Sequence, residues 1–174
     1  MSYALIVNGE IVAESHYLPS AGAYMRILES ALPDNHQFYA MTVQLVDGVP
    51  TQVWTELPLA TARDNMIANL EEKRHQVETA GITVNGLPVQ TDPDTLNLLT
   101  RARAAINAGV TSFPYLFASG WQDINATTAD AMLLAAGQHI QTCATNHQAL
   151  WTAIMAAADQ AGLAAIDIGG GWPT

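Results

Sequence analysis

The sequence predicts an α+β fold: a small antiparallel N-terminal sheet with one helix, a linker helix, and a mainly helical C-terminal half with a short hairpin. Three observations predict it. Turn dipeptides separate short β-rich runs in the first third of the chain. Helical periodicity with clear start and stop signals follows from residue 58. The longest helical stretch, in the last third, contains few charges. These features divide the chain into segments 1–58, 59–81 and 82–174.

Two hairpins are expected in the first segment. Residues 3–18 form the first around Asn8-Gly9, a dipeptide whose two residues tolerate the positive φ of a tight turn. Residues 38–57 form the second around Asp47-Gly48. Between them, residues 20–32 are predicted to form a short helix, because the apolar residues fall on one helical face. That face comprises Tyr24, Ile27, Leu28 and Ala31.

The second segment is a charged helix that begins at Pro58 and ends near Ala80, with Gly81 as its stop signal. Its polar residues are expected to form a solvated face. The alternative is that this helix pairs with the same helix of other copies. The segment contains fewer than three clean heptads, so the alternative is not favoured.

The third segment begins with a hairpin, Ile82 to Val89, around Asn85-Gly86. It is expected to be exposed, because Pro88 cannot donate a hydrogen bond in a central strand. Asp92-Pro93-Asp94 then starts a helix that Gly109 ends, since Asp can cap the first free N–H groups and Pro fits the first helical position.

An aromatic stretch lies between residues 110 and 124 and is expected to be irregular or β. One interpretation is a hairpin that covers the core. The other is a partner-binding patch, because exposed aromatic residues anchor interfaces. The candidate interface residues in this stretch are Phe113, Tyr115, Phe117 and Trp121.

A long helix is predicted from residue 127 or 128 to about residue 160. A break near Thr145-Asn146, which would give two antiparallel helices, is the alternative. Its lack of charge suggests that much of its circumference is covered. Small or apolar residues recur along it at helical spacing. They are Ala129, Leu133, Ala136, Ile140, Cys143, His147, Leu150, Ile154 and Ala157.

His139, Cys143 and His147 share one face of this helix. An adjacent pair could bind Zn²⁺, but no fourth ligand is evident. A cysteine–histidine nucleophile is the enzyme interpretation, yet Cys143 lies mid-helix, away from any Lys or Arg. No catalytic, cofactor or metal residues are therefore predicted. His147 is instead a candidate interface residue that could set helix register in an oligomer, and Trp172 is another if the glycine-rich end of the chain docks.

Charge limits the partners. The net charge is −10, and none of residues 104–174 is Lys or Arg. Nucleic acid and anionic membrane both need a basic surface, so neither is an expected partner. The single cysteine cannot form an internal disulfide, and no signal peptide is expected at the N-terminus.

The segment from Glu78 to Asp92 resembles the start of an uncharacterised domain of phage and prophage tail proteins. The similarity continues through the aromatic strand, Gly120-Trp121, an Ala-rich helix carrying His147, and an ending of the type Ile166-Asp167-Ile168 followed by Gly171-Trp172-Pro173. It spans about residues 74–173. The resemblance carries no known active site.

The resemblance implies a non-enzymatic structural component of a bacteriophage tail, located in the virion after synthesis in the host cytoplasm. Its expected partners are fibre or baseplate proteins and further copies of itself. A tail-fibre assembly chaperone is the alternative, and an enzyme is a third class that no motif favours.

Overall fold

The computed structural model describes residues 2–7, 10–15, 24–31, 38–117 and 120–174. Small antiparallel sheets and four helices confirm the predicted α+β fold within that part of the chain. The chain divides into two compact units, Met1–Asn65 and Met66–Thr174. The division falls inside the helix that the sequence predicts as a linker.

Five strands lie in the described part of the first unit: β1 (Tyr3–Val7), β2 (Glu10–Ser15), β3 (Tyr24–Arg26), β4 (Tyr39–Val46) and β5 (Val49–Glu56). The first three form an antiparallel sheet in the order β2-β1-β3, and β4 pairs with β5. Asp47 and Gly48 have φ values of 52° and 78°, which confirms the second turn. The predicted Asn8-Gly9 turn lies outside the described residues.

The helix predicted over residues 20–32 is wrong where the structure describes this segment. Tyr24–Arg26 form strand β3 beside β1, and Leu28 forms a parallel bridge with Thr51. Ile27 is buried whereas Leu28 is exposed, so the apolar residues alternate between faces instead of sharing one. Hydrogen bonds to neighbouring strands determine the conformation here, and the spacing of apolar residues in the sequence does not predict those bonds. Residues 20–23 and 32 lie outside the described range.

Helix α1 (Leu59–Thr79) confirms the predicted charged helix. Gly81 follows it with φ of 87°, as the stop signal requires. Within the helix, Arg74 pairs with Glu71 at 3.3 Å and with Glu78 at 3.0 Å, and both Arg74 and Glu78 are partly buried.

The second unit continues with β6 (Ile82–Val84), β7 (Leu87–Val89), α2 (Pro93–Asn107), β8 (Phe113–Phe117), β9 (Gly120–Ile124), α3 (Ala126–Ala156) and α4 (Gln160–Ala164). Its core lies among the β6–β7 hairpin, α2, the β8–β9 hairpin and the start of α3. The buried members are Val84, Val89, Leu99, Ala102, Tyr115, Phe117, Ile124, Ala129 and Met132.

The β6–β7 hairpin is only half exposed, which corrects the sequence prediction. Val84 and Val89 are buried in the core, while Pro88 is exposed. After the two-residue turn, Val84 and Leu87 are the hydrogen-bonded pair, so the next pair, Thr83 and Pro88, needs no N–H donor. Pro88 therefore lies on the exposed face of the hairpin without removing a hydrogen bond, while Val84 and Val89 on the other face stay in the core.

Helix α2 begins as the sequence predicts. Asp92 is its N-cap, and Asp92 Oδ1 accepts hydrogen bonds from the backbone N–H groups of Asp94 and Thr95, each at 3.0 Å. The bonds from Thr95 are the main reason that the pKa of Asp92 is lowered. Further along, Arg103 forms an ion pair with Asp130 of α3.

Helix α3 is continuous through Thr145 and Asn146, which confirms the predicted long helix there and makes the alternative with a break wrong. The hydroxyl of Thr145 donates to the carbonyl of Gln141, within the helix, and the side-chain amide of Asn146 donates to the carbonyl of Gly170. The Thr145 hydroxyl bonds the helix carbonyl four residues back, whereas the Asn146 amide finds its partner outside the helix. The helix ends at Ala156, and α4 is a separate short helix.

The apolar spacing predicted along α3 is confirmed: Ala129, Ala136, Cys143 and Ile154 are buried, and the other members are partly buried. Cover within the chain is nonetheless partial, because Leu134, Trp151 and Met155 are exposed. Among the described helices, none combines the length and apolar character needed to cross a bilayer.

Shortening Leu99 to alanine tests the core. Its side chain is fully buried in α2, so Leu99→Ala should lower the free energy of unfolding by about 2–5 kcal/mol. The neighbouring Leu98→Ala is the matched control, because Leu98 is 43% exposed and should change stability by no more than about 0.5 kcal/mol. Urea unfolding of both variants measures the difference. Equal losses would contradict the assigned faces of α2.

The cap at Asp92 should make stability depend on acidity. The folded-state pKa lies below the ordinary 3.8, so its contribution is present above that value and is lost as the pH falls through the folded pKa. Asp92→Ala should cost about 1 kcal/mol at pH 7, and its deficit should shrink below about pH 3.8.

Asp92→Asn keeps a capping oxygen without the titration and serves as the control. It should stay close to the wild-type stability at neutral pH. A deficit for Asp92→Ala that is constant between pH 2 and pH 7, measured by thermal or urea unfolding, would contradict the role of the ionised cap.

Candidate interaction surface

The β8–β9 hairpin has an inner face that belongs to the core. Tyr115 and Phe117 are each only 4% exposed, and their ring centroids lie 4.8 Å apart at an interplanar angle of 54°. Phe113 and Ile124 form a cross-strand pair at the base of the hairpin, where Ile124 is buried. Burial also raises the pKa of the Tyr115 hydroxyl, with a smaller contribution from the charge of Asp92. This face fixes the hairpin to the second unit.

The outer face of the hairpin carries a cross-strand pair of large apolar residues, Leu116 and Trp121. Leu116 is 56% exposed and Trp121 is 71% exposed. We call this pair the Leu116–Trp121 patch. The exposed residues Pro114 and Asp123 form the next pair on the same face. The alternation of side chains along both strands places the core residues on one face and the patch on the other.

Such an arrangement suits binding to a protein. An exposed indole on a backbone that is already fixed loses little conformational entropy when a partner covers it. Tryptophan is also enriched among the residues that dominate interface energetics.

Of the six residues that the sequence nominates for an interface, only Trp121 presents a freely exposed ring. Tyr115 and Phe117 are in the core, so they support the hairpin instead of facing a partner. Phe113 is partly buried against the same core. The aromatic residues were the visible signal, but strand alternation divides them between two faces.

His147 and Trp172 lie on other elements, and both are partly buried. His147 Nε2 is 3.0 Å from Glu71 Oε1 on α1, although the ring N–H is not directed at that oxygen. The indole N–H of Trp172 donates to the carbonyl of Ile168 at 2.8 Å. That bond lies within the C-terminal segment, which contacts α3 where the Asn146 amide donates to the carbonyl of Gly170. The structure does not bring His147 and Trp172 into the patch.

Leu116 is the residue that sequence reasoning missed. Aromatic character points to Phe113, Tyr115 and Phe117, which occupy alternate positions on one face of the strand. The same alternation assigns residue 116 to the opposite face, and pairing across the turn places it beside Trp121. That pairing could have been predicted from the hairpin alone.

His139 and Cys143 contact each other, but the geometry does not suit a catalytic pair. His139 Nε2 lies 2.9 Å from the carbonyl oxygen of Val77 and 3.8 Å from Cys143 Sγ. A carbonyl oxygen only accepts, so Nε2 carries the proton and cannot take one from the thiol. Burial raises the pKa of Cys143, and the charge of Glu78 adds to the effect.

The same protonated nitrogen has no lone pair for a metal ion. Across the described residues, no group of three or more His, Cys, Asp or Glu side chains is arranged to hold one.

Cys143 should react slowly with thiol reagents in the folded protein. Its side chain is fully buried and its thiolate is disfavoured, so alkylation requires opening of the helix packing. Iodoacetamide labelling near pH 8 should be at least ~100-fold slower in native protein than in urea-unfolded protein. Comparable rates in the two states, followed by mass spectrometry, would show that the thiol is accessible.

Comparison with known proteins places the chain in one family. No curated protein and no solved structure matches it. Residues 61–169 match the family described as Domain of unknown function (DUF4376). The matched range contains the hairpin with the Leu116–Trp121 patch and all of α2 and α3. Because the match extends over more than half of the chain, the protein belongs to the DUF4376 family.

Proposed function

We propose that this protein is a non-enzymatic structural component of a bacteriophage tail, which attaches or joins fibre or baseplate proteins through protein–protein contacts. The proposal combines two supports. One is the resemblance of residues 74–173 to an uncharacterised domain of tail proteins. The other is the exposed Leu116–Trp121 patch on a hairpin whose opposite face is in the core.

The patch is the observation that carries the proposal. Burying an apolar side chain of this size contributes about 1.5–3 kcal/mol. Two such residues side by side, 56% and 71% exposed, therefore offer a compact anchor. The backbone that presents them is held by Tyr115 and Phe117, so the anchor is ordered before the partner arrives.

The surroundings of the patch indicate what a partner should offer. Asp123 is exposed on the same face, and the whole chain carries a net charge of −10. A partner that supplies an apolar pocket for the indole and a basic group near Asp123 would match both features.

Mass spectrometry of purified virions, with copy number, tests the proposed role. A fixed stoichiometry in intact particles is expected. Abundance in the lysate together with absence from particles would contradict a structural role. In that case, co-expression with the fibre protein would test the alternative, an assembly chaperone, by asking whether the fibre folds equally well alone.

Trp121→Ala should remove the anchor without unfolding the protein. The side chain is mostly exposed, so the stability should change by less than about 0.5 kcal/mol. Incorporation into particles, or affinity for the fibre or baseplate partner, should fall by at least about 30-fold, as for a hot-spot residue.

Leu98→Ala is the control, because it shortens an exposed apolar residue of the same unit outside the patch. It should assemble normally. If Trp121→Ala and Leu116→Ala both enter particles at the wild-type copy number, the patch is not the attachment surface.

A further inference from the structure

A second exposed surface runs along α3. Seven positions recur at alternating spacings of three and four residues, and all of them are exposed. We call this set the outer seam. It consists of Leu134, Gly137, Gln141, Ala144, Gln148, Trp151 and Met155. It is distinct from the spacing that packs within the chain, which includes Ala136, Cys143 and Ile154.

We propose that the outer seam is an antiparallel docking surface for α3 of a second copy of this chain. The spacing is that of a coiled-coil seam over three heptads. Leu134, Trp151 and Met155 are 64%, 42% and 45% exposed, so large apolar side chains at both ends of the seam are only partly covered within the chain. The inference does not depend on the proposed tail function.

Self-complementarity selects the occupant. The seam residues occupy the a and d positions of a heptad repeat. In an antiparallel pair, each a position of one helix lies opposite a d position of the other. One antiparallel register pairs six of the seven seam residues. It places Met155 opposite Gly137, Trp151 opposite Gln141, and Gln148 opposite Ala144, with Leu134 facing the end of the partner helix. Each larger residue faces a smaller or more adaptable one. A parallel pair would instead oppose Trp151 to itself and leave a void between two copies of Gly137.

Gly137 supplies the notch that this register requires. A Cβ built on Gly137 would meet no atom within 4 Å, so the space beside it is open in the single chain. Glycine in the middle of a helix weakens it, and this position gains nothing from the contacts within the chain. A methionine from the partner helix would fill the space.

Charge favours a copy of the chain over a charged partner. None of the seven residues is ionisable, although the chain carries a net charge of −10. Two copies therefore repel each other over most of their surfaces but not at the seam. Association should tighten as salt screens that repulsion. A basic partner held by complementary charge would respond in the opposite direction.

Sedimentation equilibrium of the full chain between about 1 μM and 1 mM tests the proposal. A reversible dimer whose dissociation constant falls as NaCl rises from 50 to 500 mM is expected. The double variant Trp151→Glu with Met155→Glu should weaken dimerisation at least tenfold. Circular dichroism confirms that the variants are folded.

The double variant Thr142→Glu with Ala149→Glu is the matched control. It adds the same charge to exposed positions of α3 outside the seam and should dimerise as the wild type does. A monomer at every concentration, or equal weakening by both double variants, overturns the proposal. So does a monomeric wild type that loses only its binding to a fibre or baseplate protein when the seam is changed.

Cross-linking tests the orientation. Gly137→Cys and Met155→Cys should form few disulfide-linked dimers when oxidised separately and many when mixed, because only antiparallel pairing brings position 137 to position 155. Native Cys143 is fully buried, so it should not contribute. Efficient cross-linking of each variant alone would mean a parallel pair and would reject the proposed register.

Discussion

The buried hydroxyl of Thr91 is the contact on which the second unit depends. Thr91 is only 2% exposed, and its Oγ1 donates to the carbonyl of Glu78 and accepts the N–H of Gly81. Those two groups belong to the end of α1 and the residue that turns the chain away from it. The buried hydroxyl is satisfied both as a donor and as an acceptor. A substitution that left either backbone group without a partner would lower the free energy of unfolding.

The position of Thr91 explains why the contact matters beyond its own energy. The next residue is Asp92, the N-cap of α2. One short segment thus closes α1, fixes the base of the β6–β7 hairpin and starts α2. Gly81 completes it, because its φ of 87° and a Cβ position 3.0 Å from the carbonyl oxygen of Val89 both favour glycine. The core and the β8–β9 hairpin are assembled on this base.

The predictions that succeeded depend on local chemistry. The Asp47-Gly48 and Asn85-Gly86 turns and the start of α2 are specified within four or five residues, so the chain itself contains the information. The prediction of a helix over residues 20–32 failed in the described part of that segment. Its conformation there depends on pairing between β3 and β1 and on the bridge from Leu28 to Thr51, and these partners are distant in sequence. Local propensity loses to such contacts.

Prediction of the candidate surface was limited in the same way. Trp121 could be named from its chemistry. That Tyr115 and Phe117 are buried could not, because their burial depends on α2 and the start of α3. The alternative of a break in α3 could not be decided from the sequence, because the Asn146 amide has its partner at Gly170, which no spacing within the helix indicates. The outer seam was invisible until the buried positions of α3 were known.

The two faces of the β8–β9 hairpin have a consequence for how this family can diverge. Replacement of Tyr115 or Phe117 would disturb the core, so selection on folding should hold these positions. Leu116 and Trp121 are exposed on the opposite face, so selection on folding constrains them less. A lineage whose partner changes could therefore alter its specificity through residues at alternate positions of one hairpin, while its fold stays the same. Rapid drift at positions 116 and 121 beside near-constant 115 and 117 would be the evolutionary signature of a surface that tracks its partner.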